Sequence, residues 1–281
     1  MPDRTAIAPS APAAASLRRE LGLVDAVAVG LGAIIGAGIF VVTGVAAGVA
    51  GPAFLVGLVL AGGVATCNAL SSAELAARYP QAGGTYEYGY QLLSPLLGFA
   101  AGWMFLASKL AAGGVVALGF GHYVAALFPG MSPSVAAIVA TAALTAANYV
   151  GIRKAGRLNA AIVAVTVSGL VAFILAGATR FRMENLVPFA PAGVGGVLQA
   201  AALLFFAYTG YARLATLGEE VRDPEATIPR AIVLALAGAA ILYLFAALVC
   251  VGAIGAPAMA ASGAPLQAAA RTFPFPRSIA W

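Results

Sequence analysis

The residues best suited to chemistry sit inside long stretches that carry no charge. Every charged residue except Lys109 falls into one of six clusters, at 3–25, 74–87, 153–157, 180–184, 213–230 and 271–277. Lys109 stands alone in the run Gly102-Trp103-Met104-Phe105-Leu106-Ala107-Ser108-Lys109-Leu110. A lysine at the centre of a bilayer costs about 2.5–3.5 kcal/mol, so this one is expected to face a bundle interior, to pair, or to exchange a proton. A structural ammonium held by backbone carbonyls is the competing reading. Two other places weaken a helix. Gly30, Gly32, Gly36 and Gly38 crowd one short run, each costing ~1 kcal/mol relative to alanine. Tyr208-Thr209-Gly210-Tyr211 puts a polar, flexible patch in the middle of another apolar run, with Arg213 following within a turn. At either place the helix could unwind and release backbone N–H and C=O groups, which membrane depth tolerates only where they line a cavity or bind something. The glycines of the first run would equally serve close helix packing.

The elements that must position these residues are set by composition. Of 281 residues, 62% are hydrophobic and 9% are charged, against roughly 25% charged in a soluble domain. Mean hydropathy is +0.97. These values exclude an ordinary soluble enzyme, a disordered chain and a disulfide scaffold. Cys67 and Cys250 both lie in apolar runs. The single histidine, His122, and the absence of metal-spaced His/Cys or a Ser/His/Asp set argue against a hydrolase, a metal site or a bound cofactor. The glycine spacings follow no strand, so they are not dinucleotide fingerprints. The net charge of +5 does not point to nucleic acid, because the basic residues flank apolar runs rather than form a patch.

A membrane helix needs roughly 20 apolar residues. The charge-free stretches then hold seven spans, near 23–48, 52–73, 96–127, 134–151, 158–178, 194–217 and 229–254. Continuous Ala- and Leu-rich runs without alternation exclude a barrel. Seven spans place the clusters 3–25, 74–87, 153–157 and 213–230 on one side, with ten basic residues, and 180–184 and 271–277 on the other, with four. This bias puts the N-terminus in the cytoplasm. Residues 1–20 read as a cytoplasmic tail and 21–281 as the transmembrane domain. Spans 1 and 6, both interrupted, are five apart. Interrupted spans in corresponding halves are the sequence pointer to a transporter's substrate site, and the spacing suits an inverted repeat with a first half at 21–180 and a partial second at 190–281.

Three motifs carry a family resemblance. The run from Gly32 to Phe40, Gly-Ala-Ile-Ile-Gly-Ala-Gly-Ile-Phe, resembles the first-helix motif of the amino acid–polyamine–organocation transporter superfamily. Pro80-Gln81-Ala82-Gly83-Gly84-Thr85-Tyr86 is similar to its loop between spans 2 and 3. Ala215–Pro224, with Thr227-Ile228-Pro229-Arg230, is similar to its loop after span 6. The resemblance implies an all-α polytopic membrane protein with the leucine-transporter inverted-repeat fold, incomplete here at about seven of the usual ten to twelve helices. It also implies secondary transport of amino acids across the cytoplasmic membrane by alternating access, with a proton as the coupling ion. The substrate carboxylate would meet backbone N–H groups at Gly36, Ala37 and Gly38, in keeping with the partial positive charge of a half-helix N-terminus. The ammonium would meet carbonyls around Ile34 and Ile35, completed by Phe206, Ala207 and Tyr208 next to the Gly210 break.

This chain departs from the family pattern at two places. Ala37 stands where relatives often carry Ser or Thr, leaving only backbone donors. Thr166 stands where some proton-coupled relatives carry a lysine in span 5, which makes Lys109 the candidate for ion coupling. With seven spans the chain reads as a fragment of a longer permease, exposed to lipid or completed by a second chain. The alternative is a non-transporting membrane fragment or assembly subunit derived from a permease.

Overall fold

The structure, a computed structural model, describes residues 21–79, 84–150, 155–217 and 220–274. The N-terminal tail, most of the Pro80–Tyr86 motif, Arg153, Lys154, Gly218, Glu219 and the segment 275–281 lie outside the described residues. Five helical stretches are long and apolar enough to cross a membrane. The first, Leu23–Arg78, contains two rods, and Pro133–Tyr149 is a shorter apolar helix, so the seven expected rods are all present.

The first rod is α1 (Leu23–Ile34), a π-helical turn (Gly38–Val42) and α2 (Thr43–Ala50). Gly51 then turns the chain at φ 63°. The second rod is α3 (Phe54–Arg78), followed by the short α4 (Thr85–Leu92), which sequence reading had left as loop. Next come α5 (Pro95–Leu127), α6 (Pro133–Val150) and α7 (Ala155–Gly177). The Ser94 hydroxyl accepts the Leu97 N–H at 3.3 Å and Pro95 opens α5, the residue pair expected at a helix start. The sixth rod is α8 (Gly193–Tyr208), a 3-10 turn (Thr209–Tyr211) and α9 (Ala212–Ala215). The seventh, α10 (Pro224–Ala261), begins about a turn before the expected start and continues past Gly255, where a positive φ and the following Pro257 kink it. A short α11 (Pro265–Ala270) packs back on it.

The core sits where α3, α8, α10 and the broken first rod meet. Small residues permit the close approach. On α3, Ala61, Ala65, Ala69 and Ala73 recur every four residues and are all buried, so one stripe of the helix faces α8 and α10. In a membrane such stripes let backbones approach and gain dispersion contacts. α5 and α6 pack on each other but leave most of their apolar surface uncovered.

Loop contacts sort the charge clusters by end of the bundle. Leu21 donates its N–H to the Glu220 carbonyl at 3.1 Å and accepts from the Arg222 N–H at 2.9 Å, and Gly84 lies against Thr216. At the other end, Arg271 Nη2 donates to the Ala126 carbonyl at 2.6 Å, and Asn185 Nδ2 donates to the Gly252 carbonyl at 2.7 Å. The described clusters thus divide between the ends as the span count requires.

Candidate substrate site

The first interrupted rod breaks beside its glycines, whereas the sixth only narrows where Gly210 stands. α1 ends at Ile34, and Ile35 is extended, with φ −74° and ψ 106°. Helical geometry resumes at Ala37, and the Gly36 carbonyl accepts the Ile39 and Phe40 N–H groups at 3.2 and 3.3 Å. Thr43 is fully buried, and its hydroxyl is satisfied by the Ile39 carbonyl at 2.7 Å. In the sixth rod the helix tightens to a 3-10 turn over Thr209–Tyr211 before continuing as α9.

Each break is wedged into the other. A Cβ on Gly38 would collide with Cα and Cβ of Ala207, and a Cβ on Gly210 would collide with the carbonyl of Ala33 and the nitrogen of Ile34. Only glycine allows backbones this close. The close-packing reading of the glycines and the open-backbone reading are therefore both realised, at different residues: Gly38 and Gly210 pack, whereas a Cβ on Gly36 would meet nothing within 4 Å.

Over Gly36 and Ala37 lies a cavity of about 270 Å³. Phe40 and Val41 form one wall and Val116, Gly119, Phe120 and Tyr123 of α5 the other. Its lining offers one polar side-chain group, the Tyr123 hydroxyl, which donates to the Phe40 carbonyl at 2.8 Å. The Phe40 and Tyr123 rings meet edge to face with centroids 5.8 Å apart. Gly119 sets the closeness of the walls, since a Cβ there would come within 2.6 Å of Val41 Cγ2. The cavity thus joins backbone at a helix break to an uncharged apolar chamber.

Tyr243 of α10 ties the breaks together, and sequence reading had missed it. Its side chain is fully buried. The hydroxyl donates to the Ile34 carbonyl at 2.6 Å and lies 3.3 Å from the Ala207 carbonyl. Its ring packs on Tyr208, centroids 5.5 Å apart. The available signal was that Tyr243 is the one hydroxyl-bearing residue between Ile232 and Gly255.

The remaining expected residues are less simply placed. The Phe206 carbonyl already accepts from both the N–H and the hydroxyl of Thr209, so its two lone pairs are taken. The Tyr208 hydroxyl reaches across to the Leu58 carbonyl at 3.3 Å, and Tyr211 lines one cavity with Ser72 and Asn68 of α3. Tyr208 thus fastens the sixth rod to α3. The cavity beside Tyr211, of about 380 Å³, is also lined by Thr85 and Tyr88, toward the end where Leu21 meets Arg222. Burial pushes the Tyr88 phenol up.

Lys109 corrects an expectation. Of the interior, pairing and proton-exchange expectations, the packed interior is overturned: its side chain is exposed, with Nζ 5.3 Å from the Phe105 ring centroid one turn back. The reason is the bare flank of α5. By helical spacing Lys109 still shares a face with Val116 and Tyr123, seven and fourteen residues on, but it does not line the cavity at the break. Glu74 pairs within its own helix with Arg78 at 2.7 Å. His122 is exposed and lies against Gly263. Thr166 bonds its own helix at Ile162. Among the described residues no three His, Cys, Asp or Glu side chains cluster as metal ligands would.

Residues 25–272 match the amino acid permease family. The chain belongs to that family. Its relatives include an uncharacterised transporter of Mycobacterium tuberculosis, 49% identical over 257 residues, covering 91% of this chain and 58% of the relative. A branched-chain amino acid permease of Bacillus subtilis is 33% identical over 259 residues, covering 85% of this chain and 56% of that protein. A methylthioribose transporter of the same organism is 34% identical over 256 residues, covering 84% and 56%. The chain spans a little over half the length of these relatives. The family consists of permeases rather than enzymes, and this chain is a multi-pass membrane protein.

Proposed function

We propose that this permease carries neutral amino acids with apolar side chains across the cytoplasmic membrane by alternating access, with its N-terminus in the cytoplasm. The observation that carries the reading is the cavity at the first break, where the backbone of Gly36 and Ala37 opens onto walls of Phe40, Val41, Val116 and Phe120. Backbone N–H groups at the start of a half-helix suit a carboxylate. Carbonyls at the end of the other half suit an ammonium. A lining with no charged side chain favours an aliphatic or aromatic side chain, because nothing in it would pair a charge on the substrate. The branched-chain permease among the relatives supports the same substrate class. A proton is the coupling ion in this reading, with Lys109 as its carrier.

A second reading is a non-transporting membrane component derived from a permease. Reconstitution in vesicles separates the two. Uptake of radiolabelled leucine, competed by isoleucine and phenylalanine but not by lysine or glutamate, is expected from the first. Leucine binding without uptake would favour the second, and competition by lysine would refute the apolar substrate class.

A further inference from the structure

We infer that the hydroxyl of Tyr243 is a positioning group for the substrate site, a fixed hydrogen-bond bridge that sets the two helix breaks in register. The inference rests on the proposed amino acid site and adds a residue from a third rod. Two backbone groups converge on one phenolic hydroxyl: the Ile34 carbonyl at 2.6 Å and the Ala207 carbonyl at 3.3 Å. They come from the end of the first half-helix and from the sixth rod. A phenol has one proton to give, so a short and a long contact share it. The shorter contact marks the Ile34 carbonyl as the acceptor.

This bridge matters because of what a helix break leaves behind. Carbonyls past the last turn have no partner in their own helix, and at membrane depth each must be met by protein. Tyr243 meets the Ile34 carbonyl from a fully buried position whose ring is held by Tyr208. The hydroxyl therefore aims the Ile34 carbonyl and leaves its second lone pair for an incoming ammonium. Without it, the carbonyl would have to be oriented by the substrate itself, at the expense of binding affinity.

Tyr243→Phe removes only the oxygen and keeps the ring. The test is saturation binding of radiolabelled leucine to the detergent-purified chain, reading the dissociation constant and the number of sites separately. The expected result is a Kd about tenfold higher at an unchanged number of sites, as befits one lost hydrogen bond in a site for a charged group. 4-Aminophenylalanine at position 243, which restores a donor on the same ring, should return the Kd to within about threefold of the parent, the residue of the effect expected from a weaker donor. A fall in the number of sites at unchanged Kd, or a Phe variant that does not fold, would show the hydroxyl to be merely structural and overturn the inference. So would an unchanged Kd. If the parent chain binds no leucine, the functional reading itself fails, an outcome distinct from a failure of the variant alone.

Discussion

Gly36 and Ala37 show how little a residue must do when the backbone is the ligand-binding group. No neighbour lies within 4 Å of a Cβ built on Gly36, so Gly36→Ala should fold with the parent's thermal midpoint. Its methyl group would nevertheless stand in the cavity over the break. Leucine binding is expected to weaken about tenfold or more, on the order of the 1–3 kcal/mol that overpacking costs; parental affinity in this variant would move the substrate away from Gly36. Lys109 poses a different residue-scale question. Its ammonium is exposed beside Phe105, where a cation–π contact is worth only ~0.5–1 kcal/mol, so the protein does not depend on it for stability. Lys109→Ala should leave the melting midpoint and leucine counterflow in place while abolishing accumulation driven by a pH gradient. Undiminished accumulation in vesicles would remove Lys109 from the coupling role.

At the scale of the elements, the interlocked breaks should be far less tolerant than their glycine content suggests. Gly38→Ala and Gly210→Ala each drive a methyl into the opposing backbone, which has no rotamer with which to yield. Each should lower stability by about 1–3 kcal/mol, seen as a lower midpoint in thermal melting of the purified protein. Gly113→Ala is the matched control. It lies within α5, a Cβ there meets nothing within 4 Å, and alanine favours the helix by ~1 kcal/mol. Equal losses for all three variants would mean that helix propensity, not the contact between the breaks, decides stability. The same contrast explains why the first break forms at Ile35–Gly36. Further along the run Gly38 is held against Ala207, so the unwound backbone is confined to the residues with open space.

For the whole molecule, the sharpest prediction concerns sidedness. Glu184 and Glu225 are both exposed and belong to opposite ends of the bundle. In a Cys67→Ala background, a membrane-impermeant maleimide should label Glu184→Cys in intact cells and Glu225→Cys only after permeabilisation. The reverse pattern would invert the orientation read from the basic residues. At this scale the bundle is also uneven. α3, α8 and α10 bury one another, whereas α5 leaves Phe99, Trp103 and Met104 exposed. The site consequently has a firm side, made by the breaks and Tyr243, and an open side along α5, where Lys109 stands.

What the sequence determined by itself was the set of rods and the places where two of them fail. Both follow from local physics: a bilayer excludes charge, so charge-free length marks a span, and glycine weakens a helix wherever it stands. The seven rods, the family motifs and the break at Gly36 were legible for that reason. The short α4 was not, because Thr85–Leu92 is too polar and too brief to carry a helical signal of its own. What only the tertiary structure decided was which groups meet. Tyr243 and Ile34 are 209 residues apart, and no spacing rule joins them. The Phe206 carbonyl was taken up by Thr209, and Lys109 was left exposed, through packing that no single helix encodes. Burial and hydrogen-bond partnership are properties of two surfaces, and a sequence shows only one at a time.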